Sequence, residues 1–113
     1  SFHCKSTKDG KPLLSKEHYK KMKPTSYIIN AARGNIVDEK DLNEALNENL
    51  IAGAALDVFS NEPAKENILF NNPKVILSPH IAASTAEASI VVAEMVANQI
   101  SDFLLKGIKN NTV

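Results

Sequence analysis

The sequence predicts an α/β domain built on a parallel sheet, and three observations carry that expectation. Short apolar runs recur along the chain: Tyr27-Ile28-Ile29, Ala52 to Leu56, and Val75-Ile76-Leu77. Helix-period stretches flank them, and strands that alternate with helices pair in parallel through right-handed crossovers. Each run ends in polar or small residues, which cannot prolong an apolar strand. With 113 residues there is room for one small domain and one core.

The elements follow in order. Ser1-Phe2-His3-Cys4 reads as the tail of a strand whose start lies upstream, so the chain is expected to be a piece of a longer one. Lys5 to Pro12 is a polar loop. Ser15 caps a short helix running to Met22, stopped by Pro24, with His18 facing solvent. Tyr27-Ile28-Ile29 is a buried strand, and the chain turns at Asn30, Ala31, Ala32 and Gly34. Asp38 starts a helix to about Asn49, with Asp41 placed for a capping box and Leu42, Ala45, Leu46 and Leu50 on its apolar face.

The small residues Ala52 to Leu56 suit a strand covered on both sides, with Gly53 allowing a helix to pack closely. Asp57 ends that strand, and a buried aspartate is costly unless something donates hydrogen bonds to it. A long loop from Asn61-Glu62-Pro63 is broken only by a turn at Ile68-Leu69-Phe70. Val75-Ile76-Leu77 is the third strand, closed by Ser78-Pro79-His80. Ser84 and Glu87 form a capping box for a last helix to Lys106, with Gly107 at C′. Its stripe of Met95, Val96, Ile100, Phe103 and Leu104, with Val91 or Val92, is core or domain-contact packing.

Arg33, Asp57 and His80 thus fall at the carboxyl ends of three different strands, with Glu62 in the loop after one of them. Those ends share one edge of a parallel sheet, which is where ligands sit in open α/β folds. Arginine grips a carboxylate with two parallel hydrogen bonds, and histidine moves protons near neutral pH. A glutamate can fix that histidine's tautomer and favour its charged form. Taken singly, each residue also fits a surface or loop position with no such role.

Composition excludes other classes. Lys+Arg and Asp+Glu are both 13, so no net field recruits nucleic acid or an anionic membrane. No apolar run is expected to reach the roughly 18 residues of a membrane helix, and no signal peptide is expected. Cys4 is the lone cysteine, which rules out an internal disulfide and a cysteine-cluster metal site and suits a reducing compartment. No metal site is expected.

Asn30-Ala31-Ala32-Arg33-Gly34, Leu56-Asp57-Val58-Phe59 with Asn61-Glu62-Pro63, and Ser78-Pro79-His80-Ile81-Ala82 resemble the three signatures of the NAD-dependent D-2-hydroxyacid dehydrogenases. Their order and separation match as well, and the likeness runs from Phe2-His3 to Asn111-Thr112-Val113. Within the family the chain looks most like 3-phosphoglycerate dehydrogenases.

The resemblance implies the carboxyl-terminal half of a Rossmann-like, doubly wound sheet, with residues 1–113 forming that part of the NAD-binding domain. It implies that Arg33 binds the substrate carboxylate, His80 is the general acid/base and Glu62 pairs with it. Asp57 would sit at the nicotinamide end of the cofactor. Ala31, Ala32, Ala82 and Ala83 would line the nicotinamide pocket beside Arg33 and His80, with Cys4 at its edge. The implied reaction is hydride transfer between NAD and C2 of a D-2-hydroxy or 2-keto acid, most simply 3-phosphoglycerate in serine biosynthesis. The full-length protein would be a cytoplasmic homodimer. The alternatives are a glyoxylate/hydroxypyruvate reductase and an NAD(H)-sensing corepressor on the same scaffold.

Three departures stand out. The family usually has His-x-Pro where this chain has His3-Cys4-Lys5, and glycine where it has Ala82. The four glycines are Gly10, Gly34, Gly53 and Gly107, so no G-x-G-x-x-G is present. That phosphate cradle and the ribose-binding acid are expected upstream, together with the substrate domain. By itself the piece is expected to be inactive, to bind NADH weakly or not at all, and to expose an apolar sheet edge.

Overall fold

The computed structural model describes residues 1–111; Thr112 and Val113, the end of the stretch that the resemblance covers, lie outside the described residues. The chain divides into two units, one of Ser1–Ala82 and one from Ala83 onward.

The first unit is built on three strands, β1 (Tyr27–Asn30), β2 (Gly53–Leu56) and β3 (Val75–Leu77), in the order β1-β2-β3. Both pairings are parallel, and Ile29, Ala55 and Ile76 share a row, as do Asn30, Leu56 and Leu77. The register therefore brings the residues after Asn30, Leu56 and Leu77 to one edge. Phe2 adds a single parallel bridge on the outer side of β1, its N–H donating to the Ile29 carbonyl at 3.0 Å.

Helices α1 (Lys16–Tyr19) and α2 (Glu39–Asn47) contribute to a core with Leu14, Tyr19, Ile28, Ile36, Leu42, Leu46, Ile51, Leu56 and Leu69. Leu42, Ala45 and Leu46 form the buried face of α2, and Leu50 packs against the same cluster. Leu69 is fully buried, so the turn at residues 68–71 pins the long loop to the core.

Several local expectations change. Tyr27 is 70 % exposed and Ile29 48 %, while Ile28 and Asn30 are buried, so β1 is covered on one face only. Its β-branched run cannot reveal this, because alternation is masked when both faces are apolar. The α1 helix stops at Tyr19; Ser15 is its N-cap as expected, and the His18 ring completes a capping box there, Nδ1 accepting the Ser15 N–H at 3.2 Å. Asp38 caps α2 by accepting from the Asp41 N–H at 2.9 Å. The reciprocal half of that box is missing, because the Asp41 carboxylate accepts the Lys16 N–H at 2.8 Å and the Asp38 N–H donates to Leu14. Gly53 makes room for no helix; a Cβ there would meet the Tyr27 ring and the Lys74 carbonyl at 3.0 Å each.

The second unit is α3 (Ala86–Lys106), described by itself. Its N-cap is Thr85, one residue later than expected, accepting from the Ala88 N–H at 3.1 Å. Gly107 ends it in the left-handed region at φ 66°. None of its residues is buried. By length and a mean hydropathy of 1.3, α3 would also pass as a membrane span. The Glu94 and Asp102 charges interrupt the run, and the apolar positions recur at helical spacing, the pattern of a packing face.

Candidate active site

The turn after β1 is held from below by Asn30. Its side chain is buried, accepts the Ala32 N–H at 3.1 Å and donates to the Arg33 carbonyl at 2.9 Å. This fixes Ala31, Ala32 and Arg33 above the strand end before a 3₁₀ turn (Gly34–Ile36) leads into α2. Gly34 has no positive φ. It is required by a close approach, since any Cβ there would overlap the Phe59 carbonyl and the Ser60 nitrogen. The Arg33 turn and the Phe59–Glu62 segment are thereby pressed together.

After β2, Asp57 is 6 % exposed and both its oxygens are used. Oδ1 accepts from the Ser78 hydroxyl at 2.5 Å and the Ile81 N–H at 2.9 Å, and Oδ2 accepts from the Ala82 N–H at 2.8 Å. Desolvation pushes this carboxyl up, but those donors outweigh it and hold it below the usual aspartate range. The donors that burial of Asp57 requires come from the turn Ser78–Ala82. At the middle of that turn His80 adopts the left-handed conformation, φ 55°, which a non-glycine residue keeps only when its surroundings enforce it.

His80 Nδ1 lies 2.6 Å from Glu62 Oε2, and Glu62 Oε1 accepts the Phe59 N–H at 2.9 Å. The bond to His80, with that to Phe59 behind it, holds the Glu62 carboxyl below its ordinary range. An ionised carboxylate only accepts, so Nδ1 carries the proton and Nε2 is the free ring nitrogen.

Three cavities open along this edge. One of about 260 Å³ is lined by Arg33, Glu62 and His80 with Phe59, bringing the three sequence-predicted catalytic residues together. A second, of about 360 Å³, is lined by His3, Cys4, Lys5, Ala31, Ala32 and Arg33. It gathers four of the residues expected to line a nicotinamide pocket, Cys4, Ala31, Ala32 and Arg33. Arg33 borders both. Asp57 and Ala82 are joined in the turn that carries His80, and Ala83 belongs to the second unit. The nicotinamide end of a dinucleotide thus has fitting residues in this chain, whereas a glycine-rich diphosphate cradle is not in the sequence.

Sequence reasoning missed the largest cavity, about 630 Å³, where Phe59, Pro63, Phe70, Leu77 and Pro79 make an apolar wall beside Glu62 and His80. Phe59 and Phe70 meet edge to face at 6.1 Å. It also missed Asn30 and Gly34 as the residues that position Arg33. An asparagine at the end of an apolar strand was the available signal for the first.

Residues 1–82 match the family described as D-isomer specific 2-hydroxyacid dehydrogenase, NAD binding domain. The D-3-phosphoglycerate dehydrogenase of Synechocystis sp. is 48% identical over 105 residues, 93% of this chain and 19% of that protein. The glyoxylate reductase of Thermococcus litoralis is 41% identical over 113 residues, 100% of this chain and 34% of that protein. Among solved structures, an NADPH-dependent glyoxylate/hydroxypyruvate reductase from Sinorhizobium meliloti, in complex with NADP and malonate, superposes with a TM-score of 0.85 at 30% identity. That match covers 97% of this chain and 34% of that one. The chain therefore spans about a fifth to a third of these relatives, 19% to 34%. The chain belongs to the D-isomer specific 2-hydroxyacid dehydrogenase family, within its NAD-binding domain.

Proposed function

We propose that this chain is the carboxyl-terminal part of the NAD-binding domain of a longer dehydrogenase, which transfers a hydride between NAD and C2 of a D-2-hydroxy acid. The observation that carries the reading is the cavity shared by Arg33, Glu62 and His80, with Nδ1 of His80 tied to Glu62 at 2.6 Å.

When bound, NAD supplies or accepts the hydride. Cys4, Ala31, Ala32 and Ala82 would border its nicotinamide end, with Asp57 holding the turn that carries Ala82. Arg33 binds the substrate carboxylate through the planar guanidinium and so orients C2. In reduction, His80 gives the Nε2 proton to the carbonyl oxygen of the keto acid, and in oxidation Nε2 takes the proton back from the hydroxyl. Glu62 keeps the Nδ1 proton in place throughout, so that Nε2 is the nitrogen that gives and takes the proton.

The first substrate choice is 3-phosphoglycerate, supported by the identity to phosphoglycerate dehydrogenases. A glyoxylate or hydroxypyruvate substrate is the second reading, supported by relatives named glyoxylate reductase at 45% and 47% identity. The enzyme is taken to be a cytoplasmic homodimer, and the single, exposed cysteine suits that reducing compartment.

Steady-state turnover by the full-length protein, with 3-phosphohydroxypyruvate, glyoxylate and hydroxypyruvate and with NADH and NADPH, tests the reading. A kcat/KM at least about tenfold higher for the phosphorylated acid, a difference of about 1.4 kcal/mol, supports the first choice. The reverse order supports the second. No turnover of any 2-keto acid overturns the proposal.

A further inference from the structure

The cavity beside Ala31 and Ala32 has an unusual charge. Its basic side chains are His3, Lys5 and Arg33, beside the Cys4 thiol, and no carboxylate lines it. Among the described residues none of the three is in an ion pair: His3 meets only the Ser1 hydroxyl, and an Arg33 Nη donates to the Ala32 carbonyl. The sequence as a whole balances 13 bases against 13 acids, so this is a local excess.

The segment bearing Lys5 is also tied down. On one side the Phe2 N–H bonds to Ile29 of β1 at 3.0 Å. On the other, the Ser6 hydroxyl donates to Asn35 Oδ1, in the 3₁₀ turn after Arg33, at 2.5 Å. Residues between these ties stand along the strand end and the Arg33 turn, and Lys5 cannot drift away from the arginine with its backbone. Like charges held near one cavity repel, a cost that an anion between them removes.

We propose that Lys5 and Arg33 form an oxyanion subsite in this cavity, taking a phosphate or carboxylate group additional to the carboxylate oriented by Arg33 for hydride transfer. The group could come from a phosphate on the substrate or from the diphosphate of the dinucleotide; both present the same chemistry to Lys5. The choice of these two sources rests on the dehydrogenase reading, whereas the subsite itself rests on the cavity.

Lys5→Gln and Lys5→Arg in the full-length protein test this, with three measurements at low ionic strength. Calorimetric titration with inorganic pyrophosphate should show binding weakened about three- to tenfold in the Gln variant, the scale of one partly exposed charged hydrogen bond, and restored in the Arg variant. If the group is the dinucleotide's, the Kd for NADH rises by a similar factor and the KM ratio of 3-phosphohydroxypyruvate to glyoxylate holds. If it is the substrate's, that KM ratio rises and the NADH Kd holds. Pyrophosphate affinity equal in wild type and the Gln variant, or equally weakened in the Gln and Arg variants, overturns the subsite. Failure of the dehydrogenase reading has a separate signature, a wild-type protein without turnover, and leaves the pyrophosphate comparison intact.

Discussion

Glu62 and His80 lie 18 positions apart in sequence yet meet at 2.6 Å, one at the loop after β2 and the other at the turn after β3. Three other contacts hold them there. The Phe59 N–H fixes the second carboxylate oxygen of Glu62, Asp57 draws the Ser78–Ala82 turn inward, and Gly34 lets the Arg33 turn close against Phe59. Each of these can be broken separately.

Replacing Arg33 by lysine keeps the charge but loses the planar fork. In the full-length enzyme, kcat/KM for 2-keto acids should fall about tenfold or more, from loss of at least about 1.5 kcal/mol of charged hydrogen bonding. NADH affinity, read by fluorescence titration, should change little. Equal kcat/KM for the lysine variant removes Arg33 from carboxylate binding.

Asp57→Asn replaces an acceptor of three hydrogen bonds with a group that carries an N–H₂, which must face at least one donor of the Ser78–Ala82 turn. The expected cost is about 1–3 kcal/mol, read as a lower urea midpoint. Because the turn carries His80, kcat should fall as well. A variant with wild-type stability and kcat would show that the turn holds its shape without the carboxylate.

Acid should weaken the fold through the same two carboxylates. Asp57 and Glu62 both titrate below their ordinary ranges when folded. Groups depressed in this way contribute stability that is complete above their unfolded values, about 3.9 for aspartate and about 4.3 for glutamate, and that is lost as pH falls through the folded ones. Chemical denaturation at a series of pH values should show a declining unfolding free energy below about pH 4.5, with a shallower decline in Glu62→Gln. Identical slopes for the variant and wild type would contradict the assignment to Glu62.

Gly34→Ala should be more damaging than a methyl group usually is. The new Cβ meets backbone, the Phe59 carbonyl, which no rotamer change can move aside. A loss of about 1–3 kcal/mol is expected, together with reduced kcat as the Arg33 turn separates from Glu62. Unchanged thermal stability would mean that the two segments are not packed as tightly as described.

Much of this was legible in the residues. The β3 limits, the Asp38 and Gly107 caps, the inner face of α2 and the strand-end positions of Arg33, Asp57 and His80 all follow from local pattern. What stayed hidden depends on partners distant in sequence. Nothing near Asp41 tells that Lys16 will claim its carboxylate, nothing near Gly34 that Phe59 will lie against it, and nothing near Leu69 that it will reach the core. The exposed row of Ile29 and Ile76 was unreadable for another reason: an apolar strand looks alike whether one or both faces are covered.

The most direct test of the site is the pH–rate profile of Glu62→Gln in the full-length enzyme, measured in both reaction directions. Reduction needs a proton on Nε2 of His80 and oxidation a bare Nε2, and Glu62 is the group that holds the other ring proton on Nδ1. Without its charge, both limbs of the profile should leave their wild-type positions, and kcat should fall in both directions. His80→Gln, as the reference for loss of the proton carrier, should lower kcat by roughly 10²–10⁴. Profiles of Glu62→Gln that stay where the wild-type limbs lie, with only stability reduced, would contradict a working Glu62–His80 pair.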